Sequence, residues 1–343
     1  MPSHDWQVTS CSYGVKRNDG EVSFEIIMKA VLPVYLLTGI GFLLHRLKVI
    51  QPDMERGMLK LVIHCLYPCL ILDKTLGNSL VRQPEIVGWG IGLGLGLVCC
   101  GMLCATLLGA IFGLKPGQGR RTFTLATGVQ NYGYMAVPIL AALFVVGDND
   151  EVFGVLFVHS LGVEIGIWCI GLMVMTGSLM KSPKKLINGP IVAVVLGVTL
   201  SWTGAWRFFD LNDGPLVGSI MRQTMNWLGV CAFPIGILLI GSMMADLVGK
   251  EKISAKIGVA GILVRVVIMP CVILAAAKFL PIATSLQQVL VVQASMPAAV
   301  TPIIVARHYG GSPGVAVQVV VVTSVIALLT MPLWISYGVA LLF

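Results

Sequence analysis

From Phe24 to Phe343 this chain is a succession of long apolar runs joined by short polar connections, a pattern that leaves few folds open to it. A helix that crosses a bilayer needs about 20 apolar residues. Ten segments reach that length, at roughly 25–44, 58–76, 86–112, 122–146, 152–178, 187–206, 221–247, 255–279, 286–306 and 314–342. The second is the least regular, because His64, Tyr67, Pro68 and Asp73 interrupt it. Charged residues fill 11% of the 343 positions and mean hydropathy is +0.90. A soluble domain carries about 25% charged residues. The expected fold class is therefore an all-α polytopic membrane protein with ten transmembrane helices and no room for a soluble catalytic domain. Residues 1–23 are polar and lack the apolar core of a signal peptide, so they are expected to stay as a loose N-terminal tail.

The net charge of +7 does not point to nucleic acid, since lysine and arginine sit in the short connections. Connections after segments 1, 3, 5, 7 and 9 hold fourteen of them, from Arg46 to Arg307, and the opposite side holds seven, from Lys16 to Lys278. Lys29 and Arg265 lie within segments. The positive-inside rule then puts both termini outside the cytoplasm. Of nine cysteines, eight fall in apolar segments and read as small hydrophobes, and no cysteine and histidine spacing suits zinc. No metal and no cofactor is expected.

Lys181-Ser-Pro-Lys-Lys185 divides the chain into repeats at 24–180 and 186–343, each with five segments. With an odd number of crossings, a second repeat must enter the membrane from the opposite side, which gives an inverted pair. An offset of 164 sets Pro138 on Pro302, and with it Ile139 on Ile303, Ala142 on Ala306, Gly147 on Gly311, Ser160 on Ser324 and Asn131 on Ser295. Both anchor prolines lie in segments that carry glycine, proline or small polar residues at mid-span, in Val129–Pro138 and Val292–Pro302. Proline removes a backbone donor and clashes with the carbonyl one turn back, so each segment is expected to break. Backbone freed at membrane depth survives only inside protein or along a wet cavity, where transporters place their sites.

Candidate binding residues follow from the breaks. The Asn131 amide, two turns before Pro138, can hold a carboxylate, an ion or a freed backbone group, or serve only to bond a neighbouring helix. Tyr132 and Tyr134 can stack on a substrate or simply pack. Ser295, Pro297, Thr301 and Pro302 form the matching side. Should the breaks meet, the half-helix N-termini favour an organic anion. Ionisable residues inside apolar segments are functional candidates by default. Asp73, His159 and Glu164 are taken here as coupling or support groups, with an ion pair of Glu164 and Arg265 as the structural alternative. A carboxylate or imidazole in such surroundings can exchange a proton near neutral pH. The glycine-rich run Gly88–Gly101 reads as close helix packing. There is no phosphate-binding loop and no nucleophile elbow, so an enzyme is not expected.

Asn131-Tyr-Gly-Tyr-Met-Ala-Val-Pro138-Ile139 resembles the asparagine, glycine and proline pattern of the fourth helix in the auxin efflux carrier family, and Pro297 and Pro302 resemble its ninth-helix counterpart. The resemblance extends over nearly the whole chain from about Phe24. It implies a 5+5 inverted repeat with two broken, crossing helices, divided into a scaffold (segments 1, 2, 6 and 7) and a transport domain (segments 3–5 and 8–10) interleaved between the repeats. It places Asn131, Pro138, Ser295 and Pro302 at the crossover and Asp73 near a support site on the scaffold. Carriers of this kind move organic anions, such as auxin in plants and malate or malonate in bacteria. The short connection at Lys181–Lys185 suits a prokaryotic-type member in a bacterial inner membrane, and Ser295 stands where many relatives have asparagine. The bile-acid sodium symporters share the crossed architecture, but no carboxylate stands beside either break as a sodium ligand.

The expected function is a secondary carrier of a small organic anion across the plasma membrane by alternating access, with substrate at the crossing of helices 4 and 9. A sodium-coupled symporter of the bile-acid type, or a membrane receptor or channel, is the alternative. Expected partners are the carboxylate substrate and the lipid bilayer, with no nucleic acid; proton or sodium coupling and a homodimer are left open.

Overall fold

The computed structural model describes residues 24–115, 117–145, 150–177, 188–247 and 254–343. The N-terminal tail, Gly147, Lys181–Lys185, Lys250 and Lys252 lie outside the described residues. In chain order the first half holds α1 (Phe24–Arg46), α2 (Pro52–Leu61), α3 (Tyr67–Thr75), α4 (Pro84–Ile111), α5 (Arg120–Gly128), α6 (Ala136–Phe144), α7 (Val152–Ile165) and α8 (Leu172–Thr176). The second half holds α9 (Gly189–Thr203), α10 (Leu216–Val230), α11 (Ala232–Leu247), α12 (Ala255–Ile262), α13 (Met269–Phe279), α14 (Thr284–Ser295), α15 (Thr301–His308) and α16 (Pro313–Leu342). Among the described residues the regular structure is all helical, and six stretches are long and apolar enough to cross a membrane: Phe24–Arg46, Pro84–Ile111, Val152–Thr176, Leu216–Ala245, Ala255–Phe279 and Pro313–Leu342. Their outer faces carry exposed apolar side chains such as Leu36, Leu107 and Leu329, as lipid-facing surfaces require.

Proline explains much of the segmentation. Pro52, Pro84, Pro190, Pro302 and Pro313 each stand in the first turn of a helix, where the missing N–H costs no bond. Pro270 follows a π-helical turn at Leu263–Ile268, and it cannot donate to the Val266 carbonyl one turn back. The Trp334 indole N–H of α16 donates to that carbonyl at 2.8 Å instead.

The glycine-rich run in α4 is split between two faces. A Cβ on Gly94 would collide with the His159 carbonyl and one on Gly162 with the Ile91 carbonyl, so α4 and α7 cross almost backbone to backbone. Gly88, Gly92 and Gly96 face open space. Gly41 and Gly241 bring α1 and α11 together in the same way, against the carbonyls of Leu238 and Thr38.

Segments 122–146 and 286–306 are not continuous helices. Between α5 and α6 and between α14 and α15 the backbone leaves the helix, and the two gaps meet. Gln130 pairs antiparallel with Ala298; the Asn131 N–H donates to the Pro297 carbonyl at 2.8 Å and the Ala299 N–H to the Val129 carbonyl at 2.9 Å. The Ala298 N–H donates to Thr323 Oγ1 on α16 at 3.2 Å. The pairing is enclosed, with Val129, Gln130 and Ala298 all buried, so the peptide groups freed from the helices find partners inside the protein. The prolines are not themselves the break points: Pro138 and Pro302 lie in the first turns of α6 and α15, and the chain leaves the helix before each of them.

Gly162→Val should drive a side chain into the Ile91 carbonyl and lower stability in detergent by about 1–3 kcal/mol, the range for an overpacked core. Gly92→Val, on the open face of α4, should leave Tm unchanged. Equal Tm shifts for the two variants would contradict the close α4–α7 crossing.

Candidate functional site

The crossing backbones form one wall of a cavity of about 260 Å³. Asn131, Tyr132, Gly133 and Tyr134 come from the first break, Ala299, Val300 and Thr301 from the second, and Glu164 and Trp168 from α7 and the π-helical turn after it. The opposite wall is mostly apolar, from Leu59, Tyr67, Pro190, Leu239 and Met243. A predominantly apolar chamber with a few convergent polar groups is the usual form of a small-molecule site.

Backbone pairing decides which side chains face the chamber. At the bridge itself, successive residues point to opposite sides, so Asn131 lines the cavity while Gln130 does not, and beyond the bridge the bend at Gly133 brings Tyr132 and Tyr134 to the cavity as well. Asn131 is 6% exposed, and its side-chain amide has no hydrogen bond among the described residues. Tyr132 is tied at both ends. Its carbonyl accepts from Gln293 Nε2 at 3.1 Å, and its hydroxyl donates to Glu164 Oε1 at 2.5 Å. The Tyr134 ring packs against Tyr67 at a tilt of 43°, with centroids 5.0 Å apart. A Cβ on Gly133 would lie 2.6 Å from the Tyr67 hydroxyl, so this position takes glycine for space.

Glu164 is the acidic residue of the chamber. Besides Tyr132, the Trp168 Nε1–H donates to its Oε2 at 2.7 Å and the Asn188 amide donates to the same oxygen at 3.5 Å. Asn188 is also the N-cap of α9, its Oδ1 accepting the Ile191 N–H at 2.9 Å. The ion pair of Glu164 with Arg265 that the sequence left open is not formed. Arg265 is buried on the Leu263–Ile268 turn, and none of its guanidinium nitrogens has a hydrogen-bond partner among the described residues. Glu164 and Tyr132 also border a small recess lined by Ile71, Phe157 and Ser160, so the pair stands between the chamber and the packing of α3 against α7.

The remaining candidates lie elsewhere. Pro138, Ser295, Pro297 and Pro302 do not line the chamber. The Ser295 hydroxyl turns back to the Val292 carbonyl at 2.8 Å, and Pro297 contributes only its carbonyl, to Asn131. His159 is fully buried, lines neither cavity, and has no side-chain hydrogen bond among the described residues. Asp73 belongs to a separate cluster. Its carboxylate accepts from Arg222 Nε at 2.9 Å and Asn226 Nδ2 at 3.0 Å, and Lys74 sits 3.0 Å away and reaches on to Asp150 at 2.6 Å. Arg222, counted in the sequence as a loop charge, is therefore a helix residue of α10 that faces inward with Asn226, one turn on. Sequence reasoning missed Trp168, Asn188 and Tyr67; the Asn188-Gly-Pro190 cap signature marked the second, and nothing local marked the others.

A family model described as "membrane transport protein" matches residues 26–185 and 173–335. No curated protein matches the chain.

Removing Arg222 would leave the buried Asp73 carboxylate with Lys74 and Asn226 and without the guanidinium that also bonds its backbone carbonyl. Arg222→Ala is expected to cost about 1.5–3 kcal/mol of stability, the range for a lost hydrogen bond to a charged group, read as lost folded protein in detergent. The double change Asp73→Asn with Arg222→Gln should recover much of it. A fully stable Arg222→Ala protein would contradict the role given to this pair.

Proposed function

Because this chain belongs to the membrane transport protein family, we propose that it is a secondary carrier of a small organic anion, with its substrate site in the chamber beside the two paired helix breaks. The observation that carries this reading is the Asn131 amide, turned into an otherwise largely apolar cavity by the backbone pairing of Asn131 with Pro297. The neutral Asn131 amide and the Thr301 hydroxyl can hold a carboxylate by donation alone. The N-terminal ends of α6 and α15 add partial positive charge from their helix dipoles. The lining residues set the expected substrate as small, carboxylate-bearing and partly apolar.

In this reading the six long helices are joined by four further crossings. These are α2 with α3, α5 with α6, α9, and α14 with α15. They make two repeats of five, with the broken pairs as the fourth member of each. The matched order of residues at an offset of 164 supports the repeat. The chamber lies where α2, α3, α9 and α11, assigned to a scaffold, face α5 to α7 and α14 to α15, assigned to a moving domain. Rocking of one group against the other would expose the chamber alternately. The lysine and arginine count supports a plasma-membrane orientation with both termini outside the cytoplasm.

Uptake of labelled carboxylates into proteoliposomes tests the reading. Saturable uptake is expected, and Asn131→Ala should raise the half-saturating concentration about fivefold, the equivalent of about 1 kcal/mol for one neutral hydrogen bond, with Tm unchanged. Normal uptake by Asn131→Ala, or a conductance without saturation, would overturn it.

A further inference from the structure

The chamber contains one acidic group and, among the described residues, no lysine, arginine or histidine lines it. The groups that face Glu164 are Tyr67 from α3, Tyr132 and Tyr134 from the first break, Trp168 from its own helix and Asn188 with Pro190 at the start of α9. Three of them point a hydrogen at the carboxylate: the Tyr132 hydroxyl to Oε1, the Trp168 indole and the Asn188 amide to Oε2. The indole can only donate, and the amide oxygen of Asn188 is committed to the Ile191 N–H, which fixes its NH₂ toward Glu164. Both carboxylate oxygens accept in this arrangement, a donor set that suits the ionised form of Glu164.

An incoming carboxylate meets a like charge in a small cavity with apolar walls, where repulsion is poorly screened. It also competes for the donor that Glu164 holds. Resting on the carboxylate reading of the chamber given above, we infer that Glu164 takes up one proton as the substrate binds, making the protein a proton-coupled carrier in which Tyr132 is the switch. Protonated Glu164 becomes a donor through Oε1, and the Tyr132 oxygen accepts that hydrogen. The hydrogen of the Tyr132 hydroxyl is then free to turn toward Thr301, its neighbour across the crossing, or toward the substrate carboxylate. One proton therefore removes the repelling charge and creates a donor in the same place. The empty site carries one negative charge on Glu164, and the loaded site carries one on a monocarboxylate, so monocarboxylate movement is electroneutral and driven by a pH gradient.

The test is calorimetric titration of the purified full-length protein in detergent with lactate, succinate and phenylacetate between pH 7.0 and 8.5, in two buffers of different ionisation heat. The difference between buffers gives the protons taken up per ligand. The expected result is close to one proton, with Kd rising by up to about tenfold per pH unit. Glu164→Gln should reduce proton uptake to zero and flatten the pH dependence. Tyr132→Phe should keep the proton uptake and weaken binding several-fold. Carboxylate binding with no proton uptake by the unmodified protein would overturn the inference while leaving the carboxylate site standing, and this measurement holds whether or not the variants fold. Proton uptake that persists in Glu164→Gln would overturn the assignment to Glu164. No binding heat for any of the three acids would overturn both the carboxylate reading and the coupling.

Discussion

Two backbone hydrogen bonds, from the Asn131 N–H to the Pro297 carbonyl and from the Ala299 N–H to the Val129 carbonyl, make the rest of this structure possible. A helix opened in hydrocarbon strands polar groups that cost several kcal/mol each. Here two opened helices satisfy one another, and Thr323 of α16 takes a further donor. The pairing also fixes orientation. It sends Asn131 into the chamber and Gln130 away from it, and it holds Tyr132 where its carbonyl meets Gln293 and its hydroxyl meets Glu164.

The carboxylates of Asp73 and Glu164 sit in surroundings with different physics. Asp73 is surrounded by Arg222, Asn226 and Lys74, a compensated cluster in which removal of one member strands the others. Glu164 has hydrogen bonds but no opposite charge, and it opens onto the cavity. A carboxylate held by neutral donors can give up its charge without leaving a buried cation behind. The first arrangement suits a fixed joint between α3 and α10, the second a group that changes state.

The apolar runs and the interruptions at Val129–Pro138 and Val292–Pro302 were legible in the sequence because each rests on local chemistry, whereas the Gly88–Gly101 run read as packing throughout and only part of it packs, Gly88, Gly92 and Gly96 facing open space. The position of the breaks was less legible. Gly128 ends α5 where α4 presses on it through Gly101 and Met102, whereas α14 continues as far as Ser295, three residues beyond the position that an offset of 164 gives. Ser295 is consequently still helical, with its hydroxyl bonded to its own helix, and the two halves do not offer equivalent side chains to the chamber. Partners distant in sequence could not be read at all. Asp73 meets Arg222 across 149 positions, and Glu164 meets Asn188 across a connection whose length says nothing about contact.

Binding of a carboxylate in the chamber beside the paired breaks is tested by an experimental structure with a bromine-bearing carboxylate, read from the anomalous signal of the bromine. A single peak is expected inside the chamber, with the carboxylate near the Asn131 amide and Tyr132, and with extended backbone at Gln130 and Ala298. A peak outside the chamber, or continuous helix through residues 129–135 and 296–300, would contradict it.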